Sequence, residues 1–248
     1  MYWESLLRSA QRRTVQTLLI GAGDYGLSFV FQAQRTPGLR VCAIHDRSIE
    51  RGLAAFRHAG LPQEAIAICE SLGAAQAVLR AGRVFVTPDP LLPMQLPIDL
   101  VVEATGFPEA AACHAEAALQ HGKHVAMVSK EADIVIGPLL SRRARAAGLI
   151  YTPVDGDQPS LLMQLVFWAR VLGLEVLCAG KASEYDFVYD RAARRVTSFS
   201  RAIDAQDLET LWDFGGQEAR SIVEARAKVL VALPQHTVPD LVEMGLVA

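Results

Sequence analysis

The sequence is poor in cysteine, has no excess of basic charge and contains no long apolar run. None of the four cysteines among its 248 residues forms a C-x-x-C pair, so we expect small buried thiols of a cytoplasmic protein rather than a zinc site or a disulfide framework. They are Cys42, Cys69, Cys113 and Cys178. Lysine and arginine number 24 against 27 acidic residues, a balance that argues against a nucleic-acid partner. The longest stretch without a charged residue, Gln158 to Ala169, has 12 residues, whereas a membrane-spanning helix needs about 20.

The sequence does contain enough apolar character for a folded core, since 51% of its residues are hydrophobic and 21% are charged. Short apolar runs alternate with stretches of helical pattern up to residue 155, which predicts βαβ units and a parallel sheet. We expect six strands, at residues 15–20, 41–45, 84–86, 98–102, 124–128 and 149–154. Because these runs are apolar throughout, helices should cover both faces of the sheet. The predicted fold is α/β, a doubly wound parallel sheet of the Rossmann type.

The pattern changes after Asp155. The elements expected there are an apolar helix at 160–172, a strand at 174–179, an irregular polar segment at 181–199, and helices at 208–214 and 217–231. Phe167 and Trp168 of the first helix are expected in the core. We therefore predict a nucleotide-binding domain at 14–155 and a smaller α/β region at 156–248 for substrate binding or dimerisation. The last residues lie inside an apolar pattern, so we expect this second region to be truncated at its C-terminus.

A glycine-rich turn follows the first predicted strand and opens the first helix. It reads Gly21-Ala22-Gly23-Asp24-Tyr25-Gly26, a G-x-G-x-x-G pattern in the strand–helix context that makes it informative. Gly21 would permit the tight turn, Gly23 would let the backbone approach a diphosphate, and Gly26 would let the helix pack close to the sheet. Unpaired N–H groups at the helix start attract phosphates. The turn, including Asp24 and Tyr25, is therefore predicted to bind a dinucleotide.

An acidic and a basic residue follow the second predicted strand. Asp46 stands 20 residues after Gly26, where a carboxylate accepts hydrogen bonds from the adenosine ribose of NAD. The next residue, Arg47, could instead pair with the 2′-phosphate of NADP or stack on adenine. The residues therefore leave NAD and NADP both open.

Two further predicted strands end in polar residues, and ligands of open α/β sheets bind beyond the carboxyl ends of the strands. The strand at 98–102 is followed by Glu103 and then by small residues that would pass close to the cofactor: Ala104, Thr105 and Gly106. After the next strand, Lys130 could hydrogen-bond a substrate oxygen and stabilise its negative charge as a carbonyl is reduced. His114, on the helix between these strands, is expected to have a structural role.

Charged residues also lie near the predicted domain junction. Asp155 and Asp157 precede the apolar helix and are candidate substrate or general acid–base groups, with turn formation and helix capping as the alternative. Lys181 follows the strand expected at 174–179 and is a candidate proton donor or oxyanion clamp. Glu184 and Asp186 could join the two aspartates around Mg²⁺ or Mn²⁺. Their spacing matches no recognised loop, so no metal ligand is assigned and the need for a divalent metal stays open.

Together these motifs resemble the predicted homoserine dehydrogenases that carry a C-terminal SAF domain. The matching segments are IGAGDYG (20–26), VVEATG (101–106), GKHV (122–125), SKEADIVIGPLL (129–140), YTPVDGDQPSLLM (151–163) and LCAGK (177–181). The resemblance extends over most of residues 14–200 and becomes weaker after Asp186. It implies an NAD(P)-dependent dehydrogenase with an N-terminal Rossmann domain. The same family includes a second type of 1-deoxy-xylulose-phosphate reductoisomerase, which uses NADPH.

The resemblance also implies roles for single residues. Lys130 matches the lysine that follows the fifth strand of homoserine dehydrogenases, and Asp157 and Lys181 match polar positions of the family. These three are the catalytic candidates for hydride transfer at a carbonyl. The sequence departs from the family at Asp46-Arg47, where many relatives have Asn-Arg, and we expect its 248 residues not to include the SAF-type region.

The main hypothesis is a cytoplasmic NAD(P)-dependent oxidoreductase acting on a small polar carbonyl or alcohol. The first alternative is a reductoisomerase, which would need a phosphate site and usually a divalent metal. The second is a Rossmann module that senses the NAD(P) redox state without catalysis. We expect a small-molecule substrate and no nucleic-acid or membrane partner, and a homo-oligomer remains open.

Overall fold

A computed structural model of the protein describes residues 13–181, 187–235 and 240–248. The chain divides into two compact units. The first takes the residues through Leu161 together with Gly245–Ala248, and the second takes Leu162–Met244. None of the helices in the described ranges is long and apolar enough to cross a bilayer.

The first unit is built on a seven-stranded parallel sheet. Its strands are β1 (Val15–Ile20), β2 (Leu39–His45), β3 (Ile66–Ile68), β4 (Val84–Thr87), β5 (Leu100–Glu103), β6 (His124–Met127) and β7 (Tyr151–Pro153). They lie in the order β3-β4-β2-β1-β5-β6-β7, and every pairing is parallel. The predicted Rossmann-type α/β fold is confirmed.

Helices connect the strands and cover both faces of this sheet. They are α1 (Asp24–Ala33), α2 (Ile49–His58), α3 (Leu72–Arg80), α4 (Leu91–Met94), α5 (Pro108–Gln120) and α6 (Lys130–Ala146). A further helix, α7 (Gln158–Val171), follows β7 and includes residues of both units. Local chemistry sets several helix starts: the Ser71 hydroxyl accepts the Ala74 N–H before α3, and proline occupies the first position of α5. Leu18 and Leu19, adjacent in β1, belong to two different buried clusters, one on each face. This two-sided burial explains why the strands are apolar throughout.

The strand order places a crevice at the carboxyl end of β1. Ile20 at this end pairs with His45 of β2 on one side and with Glu103 of β5 on the other. The chain therefore leaves β1 and β5 toward opposite halves of the sheet, which makes this point a topological switch. Ligands of doubly wound sheets bind at such a point.

The sequence patterns predict six strands, and the seventh is β3. Only one of its three residues, Ile66, is buried, and Ile68 is largely exposed. A strand this short at the edge of a sheet has too few residues for a periodic signal, because periodicity needs several repeats.

The second unit contains a three-stranded antiparallel sheet. Its elements are β8 (Val188–Asp190), β9 (Arg195–Ser198), β10 (Arg201–Asp204), a 3₁₀ helix (Gln206–Leu211), α8 (Ala219–Val229) and α9 (Leu241–Val247), which runs across the border between the units. The prediction of an irregular segment at 181–199 is thus wrong for β8 and β9. The Asp190 carboxylate accepts the N–H groups of Ala192 and Ala193 and so stabilises the turn between these strands. Turn chemistry rather than hydrophobic periodicity is the signal there.

Three other expectations need correction. Residues 174–179, all described, form no strand, because they pair with no neighbour, and the Leu177 side chain is exposed. Phe167 and Trp168 are exposed rather than buried, since α7 has no buried residue among those described. Cys42 and Cys69 are buried as expected, but Cys113 and Cys178 are exposed. Apolar composition alone therefore overestimates burial after residue 155.

Candidate functional site

The glycine-rich turn lies between the end of β1 and the start of α1. Gly21 has φ +98°, and a Cβ on it would lie 2.5 Å from the Ala104 carbonyl oxygen, so only glycine fits there. A side chain on Gly26 would collide with the Gly21 carbonyl. Gly23 differs, because a Cβ built on it meets no heavy atom within 4 Å. Gly21 and Gly26 thus allow the chain to pack, while Gly23 leaves its backbone accessible to a ligand.

A cavity of about 440 Å³ lies beside this turn, entirely within the first unit. Its walls come from the loops that follow β1, β2 and β5. They are formed by Gly21, Gly23, His45, Asp46, Arg47, Arg51, Ala104, Thr105, Phe107, Glu109, Ala110 and His114. The structure therefore brings six predicted cofactor residues around one cavity: Gly21, Gly23, Asp46, Arg47, Ala104 and Thr105. The cavity lies at the topological switch point of the sheet.

Asp24, Tyr25 and Gly26 are the other residues of the predicted turn and form the first turn of α1. Gly23 is the N-cap and supplies no side chain to satisfy the first N–H groups of the helix. Those N–H groups lack helical acceptors and carry the positive end of the helix dipole. The helix start therefore has the donors that a diphosphate needs.

Asp46 fixes the glycine turn from the neighbouring strand end. Its Oδ2 accepts the Ala22 N–H at 2.8 Å, and its Oδ1 accepts the Ser48 N–H at 2.8 Å. Each carboxylate oxygen has a second lone pair. Asp46 can therefore accept a ribose hydroxyl while it holds the turn, and the two N–H donors offset part of its charge.

Two arginines add positive charge to the same cavity. Arg47 and Arg51 line it, and the Arg47 guanidinium lies 4.9 Å from the centre of the Phe107 ring. This cation–π contact joins the loop after β2 to the loop after β5. The sequence patterns did not indicate Arg51, which lies in the first turn of α2 and lines the cavity.

Glu103 forms a buried polar cluster behind the cavity. Its side chain is fully buried and accepts hydrogen bonds from the Thr105 hydroxyl at 2.7 Å and the Ser129 hydroxyl at 2.5 Å. Its Oε1 also lies 3.3 Å from His114 Nδ1. The sequence patterns indicate no functional role for Ser129, and His114 lines the cavity although a structural role is predicted for it. A carboxylate in an apolar strand was the signal that could have identified this cluster.

Histidine 45, at the end of β2, is a second imidazole on this wall. Its Nδ1 lies 3.1 Å from the Thr87 carbonyl oxygen, so this nitrogen carries the proton. Burial lowers the pKa of His45 below its usual 6.5, and the nearby His114 adds to this effect. His45 is therefore uncharged at neutral pH.

Two of the three predicted catalytic residues come together. Lys130 begins α6, Asp157 directly precedes α7, and Lys130 Nζ lies 2.7 Å from Asp157 Oδ2. Asp157 Oδ1 also accepts the N–H of Gln158, the first residue of α7. Burial raises the pKa of the Tyr25 phenol, and the negative charge of Asp157 raises it further. The ion pair is therefore within electrostatic range of the glycine turn.

Lys181, the third predicted catalytic residue, lies in the second unit. Its Nζ is 2.7 Å from Glu243 Oε2 and 3.4 Å from Asp240 Oδ2. The hydrogen bond to Glu243 raises the pKa of Lys181, and Asp240 adds to the shift. This lysine is therefore held as an ammonium ion, which suits a positively charged clamp and not a general base.

The hypothesis of a Mg²⁺ or Mn²⁺ site involves Asp155, Asp157, Glu184 and Asp186. Glu184 and Asp186 lie outside the described residues, and Asp155 is exposed and accepts the Gly156 N–H. Within the described part of the chain, no group of three or more His, Cys, Asp or Glu side chains is arranged around a common point.

Fold, turn and cavity together define a dinucleotide-binding Rossmann domain. The family model of the homoserine dehydrogenase NAD-binding domain matches residues 21–152, which is more than half of the chain. The chain therefore belongs to this family of NAD-binding domains. A second family model, the catalytic domain of oxidoreductase DRL, matches residues 156–214. The SAF-type and reductoisomerase assignments stay predictions.

Solved structures with similarity to the chain are larger proteins. A homoserine dehydrogenase from Thiobacillus denitrificans is 21% identical, with a TM-score of 0.43 over 57% of this chain and 29% of its own. An oxidoreductase from Agrobacterium radiobacter in complex with NAD⁺, L-tartaric acid and magnesium is 16% identical, with a TM-score of 0.45 over 64% and 40%. A myo-inositol dehydrogenase from Lactobacillus casei in complex with NAD(H) and myo-inositol is 19% identical, with a TM-score of 0.46 over 63% and 42%. The chain thus spans less than half the length of each. No curated protein matches it.

Proposed function

We propose that the protein is an NAD(P)-dependent oxidoreductase that transfers hydride between the nicotinamide and a small polar carbonyl or alcohol. The observation that carries this proposal is the open space in front of Gly23, at a helix start, beside a cavity that Asp46 borders. Family membership of residues 21–152 supports the same cofactor class. Substrate and full activity are proposals, because the relatives of known structure are much longer chains.

Different residues at the cavity fit different parts of the cofactor. The N–H groups of the first turn of α1 would bind the diphosphate, and Asp46 would accept a hydroxyl of the adenosine ribose. Arg47 and Arg51 supply two positive charges on the same cavity, which would attract a 2′-phosphate. We favour NADP(H) over NAD(H) for this reason.

The bound cofactor supplies the hydride, so the chain has to orient the substrate and manage charge. The ammonium group of Lys130 would donate a hydrogen bond to the substrate oxygen and stabilise its negative charge. Asp157 would hold Lys130 in place through their 2.7 Å ion pair. Lys181, kept positively charged by Glu243 and Asp240, is the candidate for a second contact to an anionic group. Its role in catalysis stays a prediction.

A matched pair of glycine variants tests the cofactor site. Neither Gly23 nor Gly73 would bring a Cβ within 4 Å of another atom, and neither has positive φ, so both should tolerate alanine. Gly73 lies in α3, away from the cavity. We expect Gly23→Ala to weaken NADPH binding about tenfold or more, because the methyl group occupies the approach to the diphosphate, while Gly73→Ala binds like the parent. Isothermal titration calorimetry with NADPH and NADH measures both. Absence of binding in the unmodified protein at millimolar cofactor would remove the proposal.

The same titrations test the preference for NADP(H). We expect NADPH to bind more tightly than NADH, and Arg51→Ala to reduce this difference. Arg57→Ala is the control, because Arg57 lies on the same helix, pairs with Glu50 and does not line the cavity. Tighter binding of NADH than of NADPH would contradict the preference for NADP(H) and would indicate that Asp46, without the arginines, recognises the adenosine ribose.

A further inference from the structure

The Glu103 cluster connects two elements that carry predicted site residues. Thr105, whose hydroxyl donates to Glu103, lies in the loop after β5 that lines the cavity. Ser129, whose hydroxyl donates to the other Glu103 oxygen, is the N-cap residue of α6, directly before Lys130. One carboxylate thus binds both the cofactor loop and the start of the helix that carries Lys130.

Ser129 closes this connection through the loop backbone. Its hydroxyl oxygen accepts the Gly106 N–H at 2.9 Å while it donates to Glu103. The Thr105 hydroxyl likewise accepts the Phe107 N–H at 3.3 Å. The orientation of each hydroxyl is fixed, because its oxygen accepts a backbone N–H and its hydrogen is directed at the carboxylate. The backbone between residues 104 and 107 is therefore held at two N–H groups by hydroxyls that Glu103 orients.

The position of Glu103 argues against a role in stability alone. Burying a carboxylate is costly even when it is hydrogen-bonded, and an apolar residue at such a position is often as stable or more so. The preceding residues of β5, Val101 and Val102, are buried and apolar. Among the partners of the carboxylate, Thr105 and His114 line the cavity, and Ser129 directly precedes the helix that begins with Lys130.

We propose that Glu103 is a positioning residue, which holds the 104–106 loop and the start of α6 in one arrangement at the cofactor cavity. Glu103 does not line the cavity itself and acts through Thr105, Ser129 and His114. The His114 ring also lies against His45, with 6.1 Å between ring centres, so the cluster reaches the end of β2 as well. The effect of Glu103 on cofactor binding, as distinct from its effect on the loop, rests on the proposed function.

Three variants and a control test this proposal. Glu103→Gln keeps the shape but replaces one acceptor oxygen by a donor, and Ser129→Ala removes the hydroxyl that joins Glu103 to Gly106. Ser129→Thr restores a hydroxyl. Thr17→Val is the control, because Thr17 is a fully buried polar residue of β1 that does not line the cavity. For each variant we measure NADPH binding by calorimetry, thermal unfolding, and hydrogen exchange of the Gly106 and Ala132 amides. Ala132 lies in the first turn of α6, and its N–H donates to the Ser129 carbonyl oxygen.

We expect Glu103→Gln and Ser129→Ala each to weaken NADPH binding about tenfold and to accelerate exchange of the Gly106 amide, with no such change in Thr17→Val. The double variant should bind no more weakly than the weaker single variant, because both act through one connection. Ser129→Thr should recover most of the lost affinity. If Glu103→Gln fails to fold, the NADPH affinities of Ser129→Ala and Ser129→Thr alone test the positioning role.

The possible failures are distinguishable. Unchanged NADPH affinity in Ser129→Ala, or no rescue by threonine, overturns the positioning role and leaves the cofactor site intact. If the parent protein binds neither NADPH nor NADH, the proposed function fails. In that case faster exchange at both Gly106 and Ala132 in Glu103→Gln still supports positioning, and unchanged exchange overturns it as well.

Discussion

The two units hold their charged residues in different ways. In the first unit, a parallel sheet covered on both faces carries polar groups at the ends of its strands, where backbone geometry fixes them. In the second unit, a three-stranded sheet packs over a small buried cluster of Val196, Ala205, Leu208 and Leu233. There, Lys181 is held by ion pairs to Glu243 and Asp240. The sheet thus fixes the residues around the cavity, while local ion pairs fix the lysine of the smaller unit.

The largest difference should appear when the same side chain is truncated in each unit. Leu18→Ala removes a fully buried side chain from the sheet, and we expect it to cost about 4 kcal/mol of unfolding free energy. Leu208→Ala opens a smaller, less enclosed core, and we expect about 2 kcal/mol. Denaturant-dependent amide exchange separates the two units without assuming one cooperative transition. Equal unfolding costs of the two variants would contradict the difference between the two cores.

The two lysines should respond differently to replacement. Lys130→Ala should lower turnover about 100-fold with little change in NADPH affinity, because it removes stabilisation of charge on the substrate oxygen. Lys181→Ala should lower the melting temperature, since the nearly buried Glu243 would lose this cationic partner. Turnover is assayed with L-homoserine and other small polar alcohols and NADP⁺.

Other outcomes of that experiment would change the assignment. Turnover that is unaffected in Lys130→Ala would remove this residue from the catalytic set. Cofactor binding without turnover of any alcohol in the parent protein would favour the sensing module. A requirement for a divalent metal would favour the reductoisomerase alternative.

The smallest expected effect is a change in the pH dependence of stability, through His45. Burial lowers the pKa of His45, so the folded protein binds fewer protons there than the unfolded chain. The associated stability is fully present above pH 6.5, the usual pKa, and is lost as the pH falls below it. We expect His45→Gln to flatten the decrease of the denaturation midpoint between about pH 7.5 and 5.5. His121→Gln is the control, because His121 is exposed. An unchanged slope in His45→Gln would contradict the assignment.

Patterns that depend on neighbouring residues predicted the structure better than apolar composition did. The glycine turn and all six apolar strand patterns of the first unit were informative, because each pattern depends on neighbours in the sequence. The strand expected at 174–179 is absent from those described residues, since an apolar run becomes a strand only when a partner pairs with it. The exposed Phe167 and Trp168 show the same limit for a helix. Hydrophobicity indicates a tendency to be buried and does not supply the surface that buries it.

Residue types along the chain were enough to predict the parallel sheet, the glycine turn and the position of Asp46, because buried strands and tight turns impose local requirements on residue type. Contacts between distant groups could be found only in the folded protein. The fold joins Glu103 to Ser129, 26 residues away, and Lys181 to Glu243. A hydrogen bond or an ion pair requires its two groups within a few ångströms of each other, and only the folded backbone brings residues so far apart in sequence to that distance.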